Sequence, residues 1–533
     1  MNNKQPISEW DQRLQNGILD FVNYYLSGGT LHAVMEGAEE AAEYLKGALE
    51  GEAGRAYKQR VGGVLTEAAQ LAGIPGLSPD QLEQLAHVVN TMDSGKLRAL
   101  APQTTRNNTV EPYVNGPQCL EMILSELRKA ERYIHLSVML FFNDDSGNRI
   151  ADELFHALER GVQVRIMVDH TTTALGYGLN FEVGKFSEIA DRLEQAGAKV
   201  LNTSRACYPS GEWEEKRADM KRNGVPESLL FMQDRVQEEI AVAGLNIIDH
   251  RKFIIIDGTT SVIGSINFGD QYTFASPIET SGTECVDGRP LGIPRSEEQW
   301  HDGCFRIRGA AAQPLNAVFH SRWVLLGGDI FDVEDPFYHP DVNYNFGEEE
   351  CTLFVSFPGN PVNLIQQYYL DLITYAADET IIVNPYLIDQ AFWDRLCELG
   401  PECSCHLTIC NPLEVNDHPM NRTAVRSNMY KPFLNGVSFY DYSYTERFSH
   451  WKITYDHRSQ AVFHGSYNIN ERSACHDFEL GMLVKGKAFA DKIKAMIDYD
   501  LSVSRKITDK KEFFKHPWLH PSTYVNKATQ HFT

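Results

Sequence analysis

Two short runs carry the residue types that chemistry at phosphorus requires. The first is His250-Arg251-Lys252, followed by Asp257 and Gly264-Ser265-Ile266-Asn267. The second is His450-Trp451-Lys452, followed by Asp456 and Gly465-Ser466-Tyr467-Asn468. In an extended segment, the histidine and lysine of each run share a face. Side by side they suit a phosphate: the ring attacks or donates a proton, and the ammonium neutralises charge. The Phe-Ile-Ile-Ile between Lys252 and Asp257 reads as a strand. Gly264 permits close backbone approach, and Ser265 and Asn267 add hydrogen-bond donors at the same alternation. His450 follows His250 by two hundred positions, so the runs occupy matching places in a duplicated chain.

The elements that must hold these runs follow a repeated order. Residues 119–130 read as a helix with Leu120, Ile123, Leu124 and Leu127 on one face, and 133–142 as a buried strand. A helix at 150–160 and a strand at 162–168 complete the unit. The order recurs as a helix at 362–377, a strand at 380–386, a helix at 390–399 and a strand at 406–410. This predicts an α/β fold with βαβ units and a parallel or mixed sheet. The predicted layout is an N-terminal helical region (1–108), a first repeat (109–331), a linker (332–350), a second repeat (351–505) and a tail (506–533). In the N-terminal region, Val34 to Leu49 shows helical spacing, and Ser78-Pro79-Asp80-Gln81 is a helix start.

The two runs resemble the HKD motif of the phospholipase D superfamily, H-x-K-x4-D-x6-G-S-x-N. The first copy matches at every specified position. In the second, Asp456 comes one residue early, and eight residues separate it from Gly465. Trp300-His301-Asp302 with Phe305-Arg306-Ile307-Arg308-Gly309 resembles the family segment whose acidic residue bonds the first histidine. Asn468-Ile469-Asn470-Glu471-Arg472-Ser473 with Phe478-Glu479-Leu480 resembles the cardiolipin synthase subgroup, in which a glutamate orients the second histidine. Asn384-Pro385-Tyr386 is similar to that subgroup's strand end. The resemblance spans roughly residues 111–501.

It implies two tandem α/β/α repeats related by a pseudo-two-fold axis, with His250 and His450 meeting across the seam. It also implies a phosphodiesterase or phosphatidyltransferase that acts on glycerophospholipids through a phosphohistidine. The catalytic set is His250, Lys252, His450, Lys452, Asp302 and Glu479. Asp302 is expected beside His250, and Glu479 beside His450. Ser265, Asn267, Ser466 and Asn468 are expected on the phosphate, with Asp257, Asp456, Gly264 and Gly465 as structural support. No metal or cofactor is expected. His250 is assigned as nucleophile because its motif is the intact one, although swapped roles fit the same residues.

Composition narrows the alternatives. With 72 acidic and 49 basic side chains, the net charge is −23, which repels nucleic acid and anionic membrane over long range. A nuclease or other non-lipid phosphodiesterase is therefore the second choice, and an inactive membrane-associated scaffold the third. No stretch approaches the roughly 18 apolar residues of a spanning helix, and the opening residues, with Glu9 and Asp11, do not read as a secretory signal. The expected setting is cytoplasmic or peripheral at a membrane, with export without a signal peptide as the alternative. Cys397, Cys403, Cys405, Cys410 and His406 lack paired zinc-ligand spacing, and the cysteines read as buried free thiols. His135 reads as core, Asp169-His170 as a turn, and residues 347–350 as solvated linker. His464 is placed either to pack or to approach the site.

Overall fold

The computed structural model describes residues 102–175, 185–205, 212–225, 247–273, 300–359, 363–416, 419–445 and 447–509, with a few isolated positions besides. The helices expected before residue 100, and most of the tail, lie outside the described residues.

The first half runs β1 (Gln103–Val114), α1 (Gly116–Lys129), β2 (Tyr133–Val138), α2 (Asp145–Glu159), β3 (Gln163–Val168), α3 (Phe186–Gln195) and β4 (Lys199–Asn202). It closes with β5 (Phe253–Ile256), β6 (Thr260–Gly264), β7 (Gly303–Arg308) and α4 (Ala312–Leu325). The second half repeats this as β8 (Glu349–Ser356), α5 (Leu364–Thr374), β9 (Thr380–Val383), α6 (Gln390–Glu398), β10 (Leu407–Asn411) and β11 (Ser438–Asp441). It ends with β12 (Ile453–Asp456), β13 (Ala461–Gly465), β14 (Glu479–Lys485), α7 (Lys487–Val503) and the short β15 (Arg505–Lys506). Strand order reads β11-β10-β9-β12-β13-β14-β8 in one half and, mirrored, β1-β7-β6-β5-β2-β3-β4 in the other. That palindrome is the two-fold expected from the duplication.

The halves are stitched by β1, which changes partner along its length. Its start pairs with β8, Gln103 opposite Leu353, and its end pairs with β7, Thr109 opposite Arg308. Between them Asn107 takes φ +61°, a left-handed conformation that asparagine tolerates better than most residues. Asn108 secures the bend by accepting from the Ala311 amide and donating to the Glu349 carbonyl.

Period-two alternation sorts side chains into three cores. Phe253 and Ile255 of β5, Ile453 and Tyr455 of β12, and Leu480, Met482 and Val484 of β14 meet in a central core with α4 and α7. Ile254 and Ile256 turn outward under α1 and α2, and Phe463 and Leu483 under α5 and α6.

Several boundaries differ from expectation: α2 begins at Asp145, not 150, where Asp144 accepts from the Gly147 amide, and α5 is shortened to Leu364–Thr374. β2 ends at Val138, because Leu140 to Phe142 leave the sheet to bond Asn267 and Phe268. β9 likewise ends at Val383, where Asn384 caps the turn by accepting from the Tyr386 amide. The acidic run is not all linker. Glu349 and Glu350 open β8, and Glu350 pairs with Arg106 and Lys485. His135 is core, stacked on Phe319 and bonded to Asn316, and burial drives it down to about 3. Asp169 is the expected turn residue, accepting from the Thr172 amide and the Ser204 hydroxyl. Among the described residues, no His, Cys, Asp and Glu group is arranged to hold a metal.

Two glycines of the motifs sit where strands touch. A Cβ on Gly465 would lie 2.3 Å from the Leu480 carbonyl oxygen, and one on Gly264 2.6 Å from that of Gly303. Backbone cannot retreat as a flexible side chain can. Gly465→Ala is therefore expected to cost about 1–3 kcal/mol, read as a lowered melting temperature, and an unchanged melt would refute the close-contact reading.

Candidate active site

Each motif histidine lies just before the strand that its sequence predicts, on an extended lead into β5 or β12. Those leads cross the seam. The His250 amide donates to the Phe478 carbonyl, and the His450 amide to the His301 carbonyl, at 3.0 and 2.8 Å. In return, Phe478 donates to Ile248 and His301 to Phe448. Each lead thus adds a two-bond bridge to the segment that enters β14 or β7 of the opposite half.

That crossing decides which carboxylate meets which ring. His250 Nδ1 lies 2.9 Å from Glu479 Oε1, and His450 Nδ1 lies 2.8 Å from Asp302 Oδ2. The expected partners are exchanged: Asp302 orients His450, and Glu479 orients His250. The physical reason is the register. A carboxylate one residue beyond the bridging carbonyl lies alongside the histidine bonded to that carbonyl, and the bridge joins opposite halves.

The serines also move from their expected place. Ser265 donates its hydroxyl to Asp302, and Ser466 donates its hydroxyl to Glu479. A hydroxyl has one proton to give, so neither is left to donate to phosphate, and both instead fix the carboxylates. The Gly303 amide adds a bond to Asp302 at 2.8 Å. Ser473, which sequence reasoning passed over within the quoted Asn468–Ser473 run, donates to Glu479 at 2.5 Å. Asn267 accepts from the Leu140 amide through Oδ1. Asn468 Oδ1 is buried and has no hydrogen-bond partner among the described residues.

Asp257 behaves as the motif implies: its carboxylate accepts from the amides of Glu131, Arg132 and Tyr133 and anchors the start of β2. Asp456 does not repeat this. It accepts from Ser459 across its own hairpin and from Thr380. The position that matches Asp257 is His457, whose amide bonds the Glu379 carbonyl as that of Asp257 bonds Tyr133. The one-residue shift thus exchanges a strand anchor for a turn anchor.

Electrostatics distinguish the two sides. Burial, then the Lys252 charge, pushes His250 well below its ordinary value, and His450 and Lys452 act on it from across the seam. Its partner Glu479 is raised by burial despite Lys252. Burial would raise Asp302 as well, but the His450 charge and hydrogen bond, aided by Lys452, hold it at about 2. Lys252 is lowered by burial to about 8, against the pull of Glu479 and Asp302. One side is thus biased toward a neutral imidazole, while the other faces a firmly ionised carboxylate. Lys452 Nζ lies 2.9 Å from His450 Nε2.

The surroundings differ too. Tyr272, Trp300, Tyr386 and Phe448 enclose the His450 ring, with centroids 5.2 to 6.4 Å away. On the His250 side, Arg251 and Arg322 flank Phe478 while both bond the buried Asp249. Of these residues Trp300, Tyr386, Arg251 and Phe478 stood in quoted motifs, and no periodicity marks Tyr272, Phe448, Asp249 or Arg322 as neighbours of the site.

The sequence matches the family described as "Cardiolipin synthase, PLD-like domain" over residues 123–277 and 369–501, more than half of the chain. It is 26% identical over 411 residues to a cardiolipin synthase of Oceanobacillus iheyensis, covering 76% of this chain and 71% of that one. It is 24% identical over 408 residues to cardiolipin synthase 1 of Staphylococcus aureus strain MRSA252, covering 76% and 70%. In structure it is similar to the phosphatidylserine synthase of Haemophilus influenzae, with a TM-score of 0.54 at 12% identity, over 80% of this chain and 95% of that one. This last likeness bears on the fold alone.

The crossed pairs make a thermodynamic prediction. In double-mutant cycles on phosphodiester turnover, His450→Ala and Asp302→Asn should be strongly non-additive, and His450→Ala and Glu479→Gln less so. The reverse order would restore the uncrossed pairing.

Proposed function

The chain belongs to the cardiolipin synthase, phospholipase-D-like family of phosphatidyl-transferring enzymes, and from that premise we propose a two-step transfer of a phosphatidyl group between alcohols. The observation that carries the reading is the pair of unlike histidine–carboxylate couples at one seam. His250, biased to the neutral form with Nδ1 held by Glu479, attacks phosphorus through Nε2. The Nε2–P bond forms as the bond to the leaving alcohol breaks, and His450, facing ionised Asp302, supplies that oxygen with a proton. An acceptor alcohol then gives its proton to His450, attacks phosphorus, and releases His250.

Lys252, Lys452 and the Asn267 amide neutralise the charge that develops on the non-bridging oxygens. The substrate is a glycerophospholipid, as the names of the relatives indicate for those proteins. Because such a substrate resides in a bilayer, the enzyme works at a membrane surface, held there peripherally. The net charge of −23 opposes long-range attraction to nucleic acid and to anionic bilayer alike, so the choice of lipid rests on the names of the relatives.

The test is incubation with mixed phospholipid and glycerol, read by mass spectrometry. Exchanged headgroups or cardiolipin should appear with wild type. They should fall by about 10³-fold or more in His250→Ala and His450→Ala, the range expected when a residue of a catalytic set is removed. Lipid products unchanged by either substitution would overturn the mechanism. Free phosphatidic acid alone would make it a hydrolase.

A second expectation concerns pH. Lys252 must be charged to serve, and in the free enzyme it is lowered to about 8. Hence kcat/KM should fall as pH rises through about 8, while the kcat limb lies higher because bound phosphate favours the ammonium. Lys252→Arg should remove the limb from the accessible range. A limb that persists in Lys252→Arg would assign it to another group.

A further inference from the structure

His464 is a buried titratable group that this mechanism does not use. It stands on β13 immediately before Gly465, fully enclosed and facing the central core. Its counterpart in the first half is Ile263, immediately before Gly264 and buried in the same core. An apolar residue therefore fills this place once, and a histidine fills it the second time.

Both ring nitrogens meet carbonyl oxygens. Nδ1 lies 2.7 Å from the Lys452 carbonyl, and Nε2 lies 3.1 Å from the Gly303 carbonyl. The first belongs to the lysine of the second motif. The second belongs to the residue after Asp302, in the other half, whose amide bonds the Asp302 carboxylate. The imidazole thus spans the seam between the backbone that carries two groups of the same side of the site: Asp302, which leads into β7, and Lys452, which leads into β12. Phe305 packs on the ring at 4.5 Å, and Trp451 lies 6.4 Å away.

We propose that His464 is a positioning residue for the general-acid side, tying the backbone of Lys452 to that of Gly303 so that Asp302 and Lys452 keep their places about His450. A neutral imidazole donates one proton and satisfies one carbonyl; the doubly protonated ring satisfies both. Two charged groups face it. Burial and Lys452 disfavour the second proton, and Asp302 favours it. The first-half site has no such tie, since isoleucine offers no donor. The dependence on protonation is thus confined to the half that delivers the proton.

This inference rests on His450 being the acid, and the experiment separates the two ideas. Two substrates are compared: phosphatidylglycerol, whose alkoxide must be protonated to leave, and a phosphatidyl p-nitrophenyl ester, whose phenolate leaves without a proton. The reference is His450→Ala, which should lose the lipid reaction and keep the p-nitrophenol burst. Loss of both would sink the role assigned to His450 rather than that of His464.

If His450→Ala behaves so, His464→Phe should lose about 30-fold or more in kcat with phosphatidylglycerol, within the range that misplacement of a catalytic group costs. Its KM should change little, and its burst should fall far less than the lipid reaction, the smaller loss reporting Lys452, whose charge serves the non-bridging oxygens with either leaving group. His464→Gln, which reaches one carbonyl, should fall between, and it carries the test if His464→Phe does not fold. Equal loss on both substrates, or none on either, would reduce His464 to packing and overturn the proposal.

Discussion

The constraint on which the rest depends is that a histidine in each half takes its orienting carboxylate from the other. An imidazole needs a fixed tautomer to attack or to donate, and a buried carboxylate at its Nδ1 provides it. Here both carboxylates lie one residue beyond a carbonyl that bonds the opposite half's histidine amide. Backbone and side chain are thereby aligned by the same bridge. The mirrored sheets, the partner change along β1, and the central core shared by α4 and α7 all act to keep that bridge in register. Gly264 and Gly465 matter for the same reason: they let β6 and β13 lie against the strands that follow the carboxylates.

Symmetry of backbone coexists with asymmetry of charge. Asp302 and Glu479 occupy matching places and accept matching serine hydroxyls, yet one is held at about 2 and the other is raised. The aromatic rings about His450, and the Asp249, Arg251 and Arg322 cluster beneath Phe478, are not related by the two-fold. Duplication supplied two equal frames, and divergence of neighbouring side chains gave them unlike electrostatics, which is what the two roles of the proposed stepwise transfer call for.

Much of this was legible in the sequence. The paired His-x-Lys runs, the repeated strand and helix order, and the chemistry class follow from spacing and residue type. What was not legible were relations between distant segments. Asp302 and Glu479 were recognisable as acids of the site, but their exchange depends on a parallel bridge between residues far apart in sequence, which no local pattern encodes. The serines read as phosphate donors because hydroxyls suit phosphate, and only geometry shows their protons spent on carboxylates. The strand ends at Val138 and Val383 were overrun because the apolar runs continue past the sheet to pack in the core. At Asp456, the shifted residue type was visible, whereas its substitute task at the hairpin was not.

The crossed bridge also bears on the order in which the molecule is made. Synthesis delivers His250, its lysine and its strand early, but the carboxylate that fixes the His250 ring arrives 229 residues later. A nascent or prematurely terminated chain that stops short of β14 therefore carries a histidine with no orienting partner. Reactivity toward lipid is withheld until the last strands have been threaded into place, so completeness of the polypeptide is itself the condition for chemistry.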